Sequence, residues 1–225
     1  MTRVAIIAAM PGELKPLTRG WRHERSNGVD LWSFNNGKWV AACAGVGVSA
    51  AMRAFAEVEK LGPIDKIIST GWAGALREEL APGEACDVST VIDARTGERF
   101  IAAGPPNDCW LVTNSRVANT QEKKRLASTY SAALVDMEAA GLARLARMRG
   151  IPFYCIKGIS DGYSDKLPDF NRFISAGGQF KGMRFVFFAL FRPWYWRALM
   201  RMGENSRKAA LNIAQSVLDF LNEQE

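Results

Sequence analysis

The pair Ser160-Asp161 closes an apolar run, Pro152-Phe153-Tyr154-Cys155-Ile156-Lys157-Gly158-Ile159, and upstream of it lies Val135-Asp136-Met137-Glu138-Ala139-Ala140-Gly141. Near the start, Glu13 stands three residues beyond Met10, where a first apolar strand ends. Open α/β sheets bind ligands at the carboxyl ends of their strands, where side chains leave the core and backbone amides are free. Asp161 is the candidate general acid. To protonate a weakly basic ring nitrogen near neutral pH it must hold its proton above the ordinary ~3.9, and Ser160 would orient it. Glu13 is the candidate base for activating water. Glu138 is the candidate for gripping a sugar diol, because a carboxylate accepts two hydrogen bonds side by side. Each acid also has a plainer reading. Ser160 or Asp161 can cap the following turn, and Glu13 and Glu138 suit the positive end of a helix dipole.

The elements that must position these acids can be read from the pattern. Residues 3–9 form a strand, and Pro11-Gly12-Glu13 starts a short helix through Leu17. Asn36-Gly37 between alternating segments predicts a hairpin over 30–44. An alanine-rich helix is expected over 49–61, then a buried strand over 64–69 that ends in the glycine turn Thr70-Gly71-Trp72-Ala73-Gly74. Residues 87–94 and 99–102 pair as strands around Thr96-Gly97. A helix over 121–129, a short strand over 133–136, a helix over 137–148 and a strand over 153–159 follow. The tail is predicted helical over 184–202, interrupted at Pro193, and again over 204–221. No repeat or linker divides the chain, so the expected fold class is α/β: one domain over residues 1–225, with a mixed central β-sheet flanked by helices and an aromatic-rich helical region over 184–225.

The 225 residues, 48% hydrophobic and 23% charged, suit one sizeable soluble domain. Four widely spaced cysteines without a CxxC pair argue for reduced thiols, and a single histidine, His23, argues against a catalytic triad or a multi-histidine metal site. No metal and no organic cofactor are expected. The first residues enter a strand without an apolar leader, which gives the expectation of a cytoplasmic protein. A net charge of +6 is mild, and its one dense triplet, Lys123-Lys124-Arg125, reads as a solvated helix start, so nucleic acid is not an expected partner.

Five stretches together resemble the nucleoside phosphorylase/nucleosidase superfamily, especially 5′-methylthioadenosine/S-adenosylhomocysteine nucleosidases. They are Ile6-Ile7-Ala8-Ala9-Met10-Pro11-Gly12-Glu13, Ala44-Gly45-Val46-Gly47, Ser69-Thr70-Gly71-Trp72-Ala73-Gly74, Val135-Asp136-Met137-Glu138-Ala139 and Ile159-Ser160-Asp161. The resemblance implies cleavage of the N-glycosidic bond of a 5′-substituted adenosine. Asp161 would protonate N7 of adenine with Ser160 in support, Glu138 would bind the ribose hydroxyls with Met137 against the sugar, and Glu13 would activate water. Asp136, Trp72, Ala73, Gly74, Met10 and Asn119 complete the substrate-binding set it implies. Trp72 stands where these nucleosidases have serine, and 112–119 lacks the phenylalanine they use against adenine. Trp72 is therefore expected to supply a stacking surface or to fill the core. Hydrolysis is favoured over phosphorolysis, because Glu13 would repel a phosphate dianion, with Arg53 and Arg116 as the alternative phosphate ligands. A rival reading is a nucleoside-binding protein without catalysis.

The C-terminal third resembles hopanoid-associated phosphorylases, which implies the alternative of a lipid-linked adenosyl substrate. Aromatics and arginines mix over 184–201. The uncharged run 185–191 has seven residues, far below the ~20 that span a bilayer. Two readings stand for it: peripheral contact with a lipid surface, or a core or homodimer-interface helix.

Overall fold

The structure, a computed structural model, describes residues 3–223. The chain opens with β1 (Val4–Ala8), α1 (Pro11–Leu14), β2 (Arg22–Ser26), β3 (Val29–Phe34), β4 (Trp39–Cys43) and α2 (Val48–Glu59). The middle holds β5 (Lys66–Ala75), β6 (Ala85–Asp87), β7 (Thr90–Asp93), β8 (Arg99–Ile101) and β9 (Trp110–Thr113). Then come α3 (Thr120–Tyr130), β10 (Leu134–Asp136), α4 (Ala139–Arg149), β11 (Phe153–Asp161), α5 (Gly182–Leu190) and α6 (Trp196–Asn222). These strands form one mixed sheet in the order β2-β3-β4-β1-β5-β10-β9-β7-β8, with β11 on the other edge of β5 and β6 beyond it. The predicted α/β class and the single flanked sheet describe this architecture.

Two apolar layers hold the sheet. On one face α2 and α4 bring Ala54, Phe55, Leu142 and Ala146 onto the central strands. On the other, α6 lays Ile213, Val217 and Leu221 against Ile68 and Ile156. These α6 positions recur every three to four residues, as an amphipathic helix requires. The helix comes close because Gly158 of β11 has no side chain: a Cβ there would lie 2.7 Å from Ile213 Cδ1.

The strand β5 organises the functional end. Its one edge pairs with β1 only as far as Ile7–Ser69, and β10 takes over that edge at Gly74. Its other edge pairs with β11 in parallel from Ile67 to Gly74. A crevice therefore opens beside residues 70–73, where β1 has left and β10 has not yet joined.

Several elements differ from the sequence reading. The glycine turn expected after 69 is instead strand, because β11 continues to pair with β5 through it. Gly71 absorbs the distortion with a φ of +122°, in the left-handed range. The tail breaks at Phe191–Tyr195 and then runs unbroken through Gly203, so the expected second interruption is absent; continuous packing of α6 on β11 outweighs one interior glycine. Glu138 sits at the N-cap of α4, one residue before the helix. The strands β2, β6 and β9 are additional, each of five residues or fewer: β2 pairs with β3 across the two-residue turn Asn27-Gly28, while β6 and β9 are held by partners distant in sequence.

A Cβ at Gly71 would sit 2.9 Å from Glu13 Oε1 on a strained backbone. Gly71→Ala should thus lower stability by about 1–3 kcal/mol, read as a lower urea midpoint. An unchanged midpoint would mean that the strand relaxes there freely.

Candidate active site

The crevice deepens into a cavity of about 200 Å³ whose wall includes Glu13, Asp136, Glu138, Ser160 and Asp161. Of the other residues singled out from sequence, Met10, Trp72, Ala73, Gly74 and Met137 also line it. Asn119 does not. It caps α3, its Oδ1 accepting from the Glu122 backbone N–H at 2.9 Å, as a short polar side chain at a helix start does.

Glu13 is buried and held by three backbone donors. Its Oε2 accepts from Ala9 N and Met10 N, both at 2.8 Å, and its Oε1 from Trp72 N at 2.9 Å. Three of roughly four acceptor positions of a carboxylate are thereby used. Burial still pushes its pKa up, against the lowering by these hydrogen bonds. Glu138 accepts from Gly47 N at 2.6 Å and from Met137 N at 3.3 Å. Burial, and then the charge of Asp136, raise its pKa from 4.5 to about 8.

The other two acids have cationic partners. Asp136 binds Lys157 Nζ at 3.0 Å, Thr113 Oγ1 at 2.7 Å and Ala139 N at 2.9 Å, so its oxygens are held by the protein. Burial works against the charge on Lys157, but Asp136 and neighbouring groups push its pKa up overall. Asp161 accepts from Ser160 Oγ at 2.6 Å on Oδ1 and forms an ion pair with Lys123 Nζ on Oδ2. Lys123 also donates to the Gly162 carbonyl at 2.7 Å and is only 2% exposed.

Lys123, on the cavity wall, and Lys157, behind it on Asp136, are the buried cations of the site that the sequence reading missed. Lys123 was expected on a solvated face, yet α3 turns it inward while Lys124 and Arg125 stay exposed. Lys157 did carry a signal: a lone cation inside an apolar strand has to find a buried carboxylate.

Most of the remaining wall is apolar. Val46, Val117, Phe170, Ile174, Phe180 and Met202 are among its residues. Trp72 is anchored by its Nε1 donating to Ser206 O of α6 at 2.9 Å, and its ring packs over Gly12. Together with Phe170, Phe180 and Met202 it also borders a wider outer groove of about 1150 Å³. The two arginines weighed as phosphate ligands are engaged elsewhere. Arg53 donates to the Ala44 and Gly177 carbonyls, and Arg116, on the cavity wall, pairs with Glu122 at 3.1 Å. Among the described residues no cluster of three or more His, Cys, Asp or Glu side chains is arranged to hold a metal ion.

The sequence model of the phosphorylase superfamily matches residues 3–108 and 109–180. No curated protein matches the chain by sequence. Among solved structures, the 5′-methylthioadenosine/S-adenosylhomocysteine nucleosidase of Helicobacter pylori is similar with a TM-score of 0.74 at 15% identity, over 99% of each chain. The futalosine hydrolase of the same organism gives 0.74 at 14% identity, over 99% of this chain and 98% of its own. The 5′-methylthioadenosine nucleosidase of Arabidopsis thaliana gives 0.71 at 19% identity, over 99% and 96%. At these identities the likeness is one of fold.

The raised pKa of Glu138 has a consequence for stability. Between about pH 4.5 and 8 the folded protein holds a proton that the unfolded chain has released, so this contribution is complete below pH 4.5 and is lost as pH rises toward 8. Glu138→Gln keeps the acceptor for Gly47 but cannot ionise. Thermal melts of the variant should lack a decline across that window on the order of a few kcal/mol that the parent shows. Parallel curves for the two proteins would refute the assignment.

Proposed function

The chain belongs to the phosphorylase superfamily, and from that premise we propose that it cleaves the N-glycosidic bond of a 5′-substituted adenosine, with water as the nucleophile. The observation that carries this reading is the convergence of Glu13, Glu138 and Asp161, from three separate strand ends, on one buried cavity. Binding alone would not call for an acid and a base on opposite sides of a ligand.

The ribose lies with its hydroxyls toward Glu138 and its sugar face on Met137, and the adenine ring reaches toward Asp161. Water sits by Glu13. As the bond from C1′ to N9 breaks, its electron pair goes to the base and positive charge grows on the ribose. The carboxylates of Glu13 and Glu138, facing that charge, stabilise it. Glu13 takes the proton from the attacking water, and its raised pKa makes it a stronger base than an exposed glutamate. The Asp161 carboxylate takes a proton from the Lys123 ammonium on Oδ2 and passes it to the purine N7, ending as a carboxylate again. Solvent restores Lys123 after adenine leaves, and the proton on Glu13 returns to solvent, so the sum is nucleoside plus water giving adenine and free sugar. The engagement of Arg53 and Arg116 by other partners supports water over phosphate.

A second reading concerns the 5′ arm. The apolar continuity from Trp72 and Met202 into the outer groove favours adenosyl substrates whose 5′ substituent is long and apolar. Trp72, fixed to α6 at that opening, then serves as a wall for the arm rather than a stacking partner for the base. Faster turnover of small 5′-substituted adenosines than of long-chain ones would reject it.

The decisive assay measures adenine release from 5′-substituted adenosines with and without phosphate. Phosphate should leave the rate unchanged and free sugar should be the product; formation of a sugar 1-phosphate would reverse the choice of nucleophile. Asp161→Asn and Lys123→Met should each lower kcat/KM on adenosines by about 10²-fold or more, the range for a lost general acid. Both should nearly spare a riboside whose leaving group is nitrophenolate, which departs without a proton. Equal losses on both substrates would reduce these two residues to structural support.

A further inference from the structure

The helix α5 presents its apolar stripe to solvent. Met183, Val186, Phe187 and Leu190 recur at the three- and four-residue steps of one helical face, and Phe191 and Trp194 continue beyond it. All six are between 56% and 73% exposed. A surface helix of a globular protein normally turns such a stripe to the core, yet the inward side of α5 is already apolar. There Phe185 packs on Phe170 at 5.3 Å between ring centroids, and Phe188 packs on Phe173 at 5.1 Å. The helix is therefore hydrophobic on both sides, with only one of them covered.

Charge says what can cover the other. Residues 170–203 contain Arg172, Lys181, Arg184, Arg192, Arg197 and Arg201, and no aspartate or glutamate. Lys181, Arg184, Arg197 and Arg201 are exposed around the stripe. A second copy of the chain docking by a two-fold axis would set this patch against itself. Cations would then face cations, with no carboxylate in the segment to answer them. An anionic lipid surface answers both features, since acyl chains take the stripe and headgroups take the arginines. Trp194, Tyr195 and Trp196, at the turn into α6, have the amphipathic rings that settle at a membrane interface. Among the described residues no helix is long and apolar enough to cross a membrane, so the segment would lie along the surface.

We infer that α5, the turn after it and the first turns of α6 form a docking surface for anionic phospholipid membranes. The same segment supplies Phe180 and Met202 to the cavity wall and the outer groove, so docking sets the mouth of the cavity against the lipid. That last consequence rests on the function proposed above; the docking itself does not.

The test is flotation of the full-length protein with vesicles of phosphatidylcholine alone or mixed with phosphatidylglycerol. The bound fraction should be about tenfold or more higher on the mixed vesicles and should fall in high salt, which shortens the reach of surface charge. A variant combining Phe187→Ser, Phe191→Ser and Trp194→Ser, and another combining Arg184→Glu, Arg197→Glu and Arg201→Glu, should each lose most of this binding. Both should release base from a soluble nucleoside at the parent rate, which also reports that they fold. Failure of the parent to float with mixed vesicles overturns the inference. So does a dimer in light scattering that the serine variant converts to a monomer without any vesicle binding in the parent. Vesicle binding by a parent that releases no base would leave docking standing and remove the proposed function instead.

Discussion

Where β1 leaves β5, the backbone N–H groups of Ala9, Met10 and Trp72 need acceptors that the broken ladder does not offer, and the Glu13 carboxyl accepts from all three. Buried donors left without partners cost about 1–3 kcal/mol each, so this carboxyl closes the edge of the crevice as well as facing its interior. Gly71 belongs to the same arrangement, since only a residue without a side chain lets Glu13 lie this close to β5. The crevice, its depth and the direction of Glu13 all follow from one strand edge shared in sequence by β1 and β10.

The charges in the cavity divide into two kinds. Asp136 and Asp161 are matched by Lys157 and Lys123, both nearly inaccessible to solvent, which meets the cost of removing a carboxylate from water. Glu13 and Glu138 have no adjacent cation of their own, and burial raises both. One cavity thus holds acids that each have a cationic partner and acids that have none. Environments that separate carboxyls in this way are how a site assigns acid and base roles at a single pH. A cation developing between them would draw the unpaired acids into their ionised form.

The apolar segment that follows Phe170 has a different logic from the sheet. It touches the cavity through Phe170, Phe180 and Met202 but leaves the outer face of α5 without protein cover. The residues matched by the superfamily model end at 180, just before this helix. The outer wall of the cavity is therefore built partly by a segment whose other side is apolar and exposed.

Much of the scaffold was legible in local pattern, because short-range chemistry decides it. The Asn36-Gly37 hairpin, the alanine-rich α2, the run leading to Ser160-Asp161 and the helix after Glu138 follow from turn propensity, periodicity and apolar content in contiguous residues. What local pattern could not decide were the outcomes of pairing between distant segments. β5 runs on through its glycines because β11 lies alongside. Asn119 caps α3. Lys123 turns inward because the carboxyl of Asp161, thirty-eight positions away, waits there. The sequence by itself determined which acids stand at strand ends and helix starts. Only the tertiary structure decided which of them carry a cation and which remain unpaired, because that depends on burial and on charges brought close by the sheet, neither of which is a property of neighbouring residues.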